Sequence, residues 1–195
     1  MSSFADIEPE PATLAAARRG DARATAEICR SFQRPVFTLA CRLVGRRAVA
    51  EELAQDVFVE LLTHLDQYQG RGAFAGWVRT ITVRRCLMHL RSPWHRGVRW
   101  LETPGGDEPG DGARGAAADE HSVDLERALA RLGPVTRCVV WLHDVEGYNH
   151  AEIGRLLGGT ASLSKSQLAR GHARLRALLE RPGDETPCMQ ASTSC

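Results

Sequence analysis

From Thr103 to Glu120 the chain reads TPGGDEPGDGARGAAADE, eighteen residues without one large apolar side chain. Glycine, proline, aspartate and alanine in that mixture cannot bury enough surface to offset the entropy of ordering, so the stretch is read as a flexible linker. It divides the 195 residues into two parts. Both carry apolar residues at helical spacing, and strand-like alternation is scarce in either. The fold class this implies is all-α. It comprises two small helical domains, 10–92 and 121–181, joined by a linker at 93–120. A flexible arm (1–9) and a disordered tail (182–195) complete the chain.

In the first part, Pro11 opens a helix through about Arg19, and Asp21 can cap a second that reaches about Phe32. Pro35 begins a third, through Val44. A fourth runs from about Arg47 to Leu65, with Leu53, Val57, Leu61 and Leu65 in register. A loop with two glycines, Asp66 to Gly72, leads into a fifth, Ala73 to Arg91. On that fifth helix Phe74, Trp77, Val78, Ile81 and Met88 fall on one face, and Val83, Leu87 and Leu90 on the opposite one. A helix apolar on two sides packs against neighbours on both, and core packing is the reading for Trp77. Thr80, Arg84 and Arg91 form a polar strip between the two faces.

The second part begins with helices at about Val123–Leu132 and Val135–Asp144 and ends in YNHAEIGRLLGGTASLSKSQLARGHARLRALL. That run reads as a short helix, a tight turn and a longer basic helix. Asn149 and Glu152 are spaced as a capping box, Gly158 and Gly159 supply the turn, and Thr160 or Ser162 can cap the second helix. At about 100° per residue, Leu168, Leu175 and Leu179 share a face with Ser164 and Gly171 beside them. Leu163, Gln167, Arg170 and Arg174 lie away from that face, Ser162 and Ser166 adjoin them, and Lys165 flanks the buried side. Such side chains reach base edges and phosphates from the major groove. The bland alternative is an amphipathic hairpin with a solvated basic face.

Net charge, only +1, conceals a segregated distribution. From Gln67 to Leu101 there are seven arginines (71, 79, 84, 85, 91, 96, 99) and no acid. Uncompensated arginines suit phosphate, with counterion release and steep salt dependence. The glycine-bearing loop offers Tyr68, Gln69 and Arg71, and a tyrosine and an arginine can stack on an unpaired base. Glu51, Glu52, Gln55, Asp56 and Glu60 make the fourth helix acidic; DNA repels such a face, which belongs to solvent or to a basic protein partner.

The sequence also excludes several classes. No apolar run is long enough to span a bilayer and no signal peptide is visible, so the expectation is a cytoplasmic protein. Six cysteines without a CxxC pair are read as thiols, with no structural metal site. Cys188 and Cys195 are taken as idle tail residues, a metal- or thiol-sensing role being the lesser alternative. No catalytic triad, metal-ligand spacing or phosphate loop appears; neither an enzyme nor a cofactor is expected.

Two blocks, AEELAQDVFVELLTHLDQYQGRGAFAGWVRTI and LERALARLGPVTRCVVWLHDVEGYNHAEIGRLL continued through SLSKSQLARGHARLRALL, resemble regions two and four of bacterial RNA polymerase sigma factors of the extracytoplasmic-function group. The resemblance covers all but the arm, linker and tail. It implies that Glu51, Glu52, Leu53, Gln55, Asp56 and Phe58 dock on the clamp helices of the largest subunit of core RNA polymerase. It implies that the Tyr68–Gly72 loop holds a base flipped from the minus-ten promoter element, with Tyr68, Gln69, Arg71, Thr80, Arg84, Arg85 and Arg91 engaging that element. Ser162, Leu163, Lys165, Ser166, Gln167, Arg170 and Arg174 would read the minus-thirty-five element. It implies, too, an anti-sigma factor as partner, and no direct membrane insertion. Val49, Arg84 and Met88 stand where the family usually carries an acid, an asparagine and an aspartate, and Gly159 replaces a small apolar turn residue. Arg84 is expected either to change sequence preference or to trade base reading for phosphate binding, Gly159 leaves the turn less rigid, and Gly159 and Leu163 are where promoter preference is expected to differ. The elements lie about 70 Å apart, two turns of DNA, and the 29 residues from Ser92 to Glu120 can span roughly 95 Å. The alternative is a helix-turn-helix regulator with an N-terminal interaction domain.

Overall fold

A computed structural model of the chain describes residues 4, 7–70, 72–92 and 120–180. Nearly all of the expected linker, the tail with Cys188 and Cys195, and Arg71 lie outside the described residues. Every regular element among the described residues is helical, as the all-α reading requires. The first unit contains α1 (Pro11–Arg18), α2 (Ala22–Val44), α3 (Arg47–Thr63), a 3-10 turn (Leu65–Gln67) and α4 (Phe74–Arg91). The second contains α5 (Glu120–Ala130), α6 (Pro134–Val140) running into a π-turn (Trp141–Val145), α7 (His150–Leu156) and α8 (Ala161–Leu179).

Asp21 caps α2 as expected, its Oδ1 accepting from the Ala24 amide at 2.7 Å. Pro35, however, starts no new helix: α2 runs through it unbroken. A proline cannot donate to the carbonyl four residues back. Here Ile28, Phe32, Val36, Leu39 and Leu43 make one buried stripe across it, and packing outweighs the lost bond. Gly45, at φ +74°, ends the helix in a left-handed turn, its amide bonded to the Cys41 carbonyl at 2.8 Å.

α2, α3 and α4 bury their apolar stripes together. Phe32, Val57, Leu61, Phe74 and Val78 are inaccessible, and α4 buries Val83, Cys86 and Leu87 on its other side as well. Met88, expected on the Phe74 face, is 57 % exposed, because that face is covered near the start of α4 and not about four turns later. Two residues of the arm make contacts with the helices. Phe4 is buried against Phe32 with ring centroids 6.2 Å apart, and Glu8 Oε1 accepts from the Phe74 amide at 3.1 Å.

The two units share a core: Cys138, Val139, Leu142 and Ile153 belong to the same buried cluster as the α2–α4 residues. A smaller cluster, Ala128, Leu129, Leu132, Val140 and Leu175, holds α5, α6 and α8 together.

Candidate nucleic-acid interface

The upstream candidate is α7, its turn and α8. Asn149 Oδ1 accepts from the amides of Ala151 and Glu152, both at 3.0 Å, and Glu152 Oε2 accepts from the Asn149 amide at 2.8 Å. This is the expected capping box. Gly158, at φ +67°, makes the turn, and Thr160, not Ser162, caps α8 by accepting from the Leu163 amide at 3.3 Å. Two glycines then set how closely α8 is seated. A Cβ on Gly154 would stand 2.7 Å from the Thr160 carbonyl, and one on Gly171 would stand 2.4 Å from Val140 Cγ2.

Ser164, Gly171 and Leu175 form the buried edge of α8, while Ser162, Leu163, Lys165, Ser166, Arg170 and Arg174 face solvent. Gln167 departs from its expected place. It is half-buried and accepts, through Oε1, from Thr136 Oγ1 at 2.7 Å, because α6 crosses α8 beside Gly171 and reaches one turn back. Leu179 is exposed, and Leu178 packs on the smaller cluster instead.

Behind α8, Asp144 of the π-turn links two histidines, His143 Nδ1 at 2.8 Å and His172 Nε2 at 2.6 Å. Burial acts to raise its pKa, but hydrogen bonds from His172 and His143 outweigh it and leave the carboxyl below its ordinary value. His150 stacks on His143 at 4.6 Å, and its Nδ1 lies 3.0 Å from Ser164 Oγ. The network ties the π-turn and α7 to α8.

The downstream candidate is α4 with the loop before it. Thr80, Arg84, Met88 and Arg91 are exposed along one edge, so the polar strip stands as expected, with Met88 inserted in it. Thr80 Oγ1 donates to the Gly76 carbonyl at 2.8 Å. Arg84 makes no hydrogen bond or ion pair among the described residues. Arg85 leaves the expected site, since its Nε pairs with Glu60 of α3, and a half-buried guanidinium beside that carboxylate is already neutralised. Arg91 donates from Nη1 to the Leu156 carbonyl of α7 at 3.4 Å.

Tyr68 closes the loop on itself, its hydroxyl donating to the Gly72 carbonyl at 2.7 Å. Its ring packs against Phe74 and Trp77, with centroids 5.0 and 5.5 Å away, which accounts for Trp77 as a core residue. Gln69 is exposed. Two residues absent from the expected site hold this loop. Arg18 donates from Nε to the Leu65 carbonyl at 3.2 Å and from Nη2 to the Tyr68 carbonyl, with its guanidinium 5.9 Å over the Tyr68 ring. Glu8 holds the far end through Phe74. Each acts across more than forty residues of sequence, and no local motif marks either.

On α3, Glu51, Glu52, Gln55 and Asp56 are exposed and Phe58 is half-buried, with Glu51 paired to Arg47 at 3.1 Å. Leu53 is only 6 % exposed and is withdrawn as a docking residue, since its spacing to Val57 and Leu61 puts it in the core. The exposed apolar residues are Val59 and Leu62, at 65 and 38 %. Their spacing from Asp56 and Gln55 could have revealed them, and together they give the acidic face an apolar end.

Cys29, Cys41, Cys86 and Cys138 are free thiols. Burial raises Cys138 to about 12 and Cys86 still further, so neither supplies a thiolate. No group of three metal-ligating side chains occurs among the described residues, and no helix among them is long and apolar enough to cross a membrane.

Residues 28–96 match the family model for Sigma-70 region 2, and residues 122–175 that for Sigma-70, region 4. The ECF RNA polymerase sigma factor SigE of Mycolicibacterium smegmatis is 33% identical over 170 residues, covering 82% of this chain and 63% of that protein. The chain therefore spans less than two thirds of that relative. The ECF RNA polymerase sigma factor SigM of Mycobacterium tuberculosis is 31% identical over 169 residues, covering 85% of this chain and 82% of that protein. RNA polymerase sigma factor CarQ of Myxococcus xanthus is 30% identical over 142 residues, with 71% and 79% covered. In fold the chain is similar to the sigma factor RpoE solved in complex with the anti-sigma factor NepR from Bartonella quintana. The TM-score is 0.51 at 21% identity, over 87% of this chain and 93% of that one.

Proposed function

Because the chain belongs to the extracytoplasmic-function (ECF) family of RNA polymerase sigma factors, non-catalytic factors of transcription initiation, we propose that its two units divide the promoter between them. The second unit reads the minus-thirty-five element as duplex through Ser162, Leu163, Lys165, Ser166, Arg170 and Arg174. The first engages the minus-ten element through Thr80, Arg84 and Arg91, and the Tyr68–Gly72 loop, with Gln69 and Arg71, holds a base that has left the stack. The α3 face of Glu51, Glu52, Gln55, Asp56 and Phe58, extended by Val59 and Leu62, docks on the clamp helices of the polymerase's largest subunit. The factor acts in the cytoplasm, where polymerase works, and an anti-sigma factor holds it in check.

One observation carries this reading. The same chain presents a firmly seated helix with a polar, basic outer edge and, on its other unit, a cluster of aromatic side chains, Tyr68, Phe74 and Trp77, beside a glycine-bearing loop. The first fits duplex DNA, whose major groove admits a helix; the second fits unstacked bases, which stack on aromatic faces. Adding the purified protein to core polymerase and a promoter library, then sequencing the transcripts, tests it. Core binding with starts at a shared bipartite sequence is the expected result. Duplex binding without core binding would point to an ordinary helix-turn-helix regulator.

A further inference from the structure

We propose that Arg18 and Glu8 are positioning residues for base capture by the Tyr68–Gly72 loop, an inference that rests on the reading of that loop given above. Gly70 and Gly72 sit at φ +72° and +81°, so the loop backbone has little stiffness of its own. Both of its ends are pinned from one side. At the first, the Arg18 guanidinium spans the Leu65 and Tyr68 carbonyls and covers the Tyr68 ring. A planar fork can do this, and a lysine ammonium, which is a point charge, cannot. At the second, the Glu8 carboxylate takes the Phe74 amide at 3.1 Å, one of the orphan donors of the first turn of α4, where a negative charge is favoured. Both residues bond the loop and the start of α4. Their effect is to hold the Tyr68 ring against Phe74 and Trp77 before a base arrives, so that less ordering remains for the binding step.

The test uses holoenzyme and a promoter with 2-aminopurine at successive minus-ten positions, whose fluorescence rises when the base leaves the stack. Arg18→Ala should reduce the signal at the captured position about tenfold, and Arg18→Lys should not rescue it. Glu8→Gln, which keeps an accepting oxygen, should lose less. Core affinity and binding to a minus-thirty-five duplex should not change. A full signal from Arg18→Ala overturns the inference. So does a parallel loss of minus-thirty-five binding, which would make the residue merely structural. Absence of a position-specific signal from the unsubstituted protein overturns the reading of the loop, and this inference with it.

At the contact between the units, an arginine of each unit caps a helix of the other. Arg137 of α6 lies over the C-terminus of α2, Nη2 3.4 Å from the Leu43 carbonyl, in space that a Cβ on Gly45 would occupy at 2.3 Å. In the other direction, Arg91 at the end of α4 donates to the Leu156 carbonyl, in space that a Cβ on Gly158 would occupy at 2.6 Å. Helix C-termini carry unpaired carbonyls and negative partial charge, so each is a fitting seat for a guanidinium. Arg79 bonds the buried Glu146 at 3.4 Å, and Arg42 pairs with Glu126 at 2.6 Å while lying over Trp141. The geometry points to a closed resting form. It occupies Arg91, and it holds the two readers side by side when their elements lie about 70 Å apart.

Small-angle scattering and promoter association rates of the full chain with core polymerase test this. Arg42→Glu and Glu126→Arg should each enlarge the radius of gyration and speed association several-fold, and the double exchange should restore both. Arg137→Ala should act in the same direction as the single exchanges. Single variants as compact as the unsubstituted chain overturn the closed form. Expansion without faster association overturns its inhibitory role.

Discussion

The helix proposed to read duplex and the loop proposed to hold a single base are built in opposite ways. α8 is stiff by itself: nineteen residues, capped by Thr160 and seated through Ser164, Gly171 and Leu175. The Tyr68 loop has no periodicity and two left-handed glycines, and it gains its shape from Arg18, Glu8, Phe74 and Trp77. The contrast matches the targets. Duplex DNA offers a regular groove into which a preformed rod can be laid. An unstacked base has no fixed position until something receives it, so the receiver needs a wall and a brace.

Five substitutions would break or sharpen this contrast. The largest effect is expected from Phe74→Ala, which removes the inaccessible ring behind Tyr68 and should cost about 3–5 kcal/mol in denaturant unfolding of the first unit. Gly171→Val drives a side chain into Val140 and should cost about 1–3 kcal/mol, moving α8 and weakening upstream-duplex binding in an electrophoretic assay. Arg170→Ala and Arg84→Ala form a matched pair. The first should cost about 1–3 kcal/mol and relax specificity at one upstream position, and the second should weaken binding evenly and lower the salt slope by about one. An even loss from both would erase the distinction. The smallest effect belongs to Asn149→Ala, which removes the α7 cap for about 1 kcal/mol, seen as a lowered melting temperature with the minus-ten signal unchanged.

What the sequence disclosed follows the same division. The helix-turn-helix was legible down to its capping box and turn glycine, because caps and glycines act within a few residues of themselves. The acidic face of α3 and the polar strip of α4 were legible because helical periodicity assigns faces. Periodicity cannot say how far along a helix its cover extends, and so it puts Met88 inside and Gln167 outside. A family pattern cannot say which motif residue the core consumes, and so it counts Leu53 as docking surface. Pro35 reads locally as the start of a new helix because local rules omit the buried stripe that carries α2 past it. Arg18, Glu8 and the partner of Arg85 were invisible for one reason: each bond joins segments that only the tertiary fold brings together.

The central claim is that one chain reads duplex upstream and a displaced base downstream in the same complex. Footprinting combined with permanganate reactivity, on holoenzyme bound to a promoter recovered from the library, tests it most directly. The account predicts protection centred on the minus-thirty-five element without thymine reactivity there, together with reactive thymines confined to the minus-ten side. The reactivity should fall in Arg18→Ala while the upstream protection persists. Upstream protection with no reactive thymines in the unsubstituted protein would contradict it.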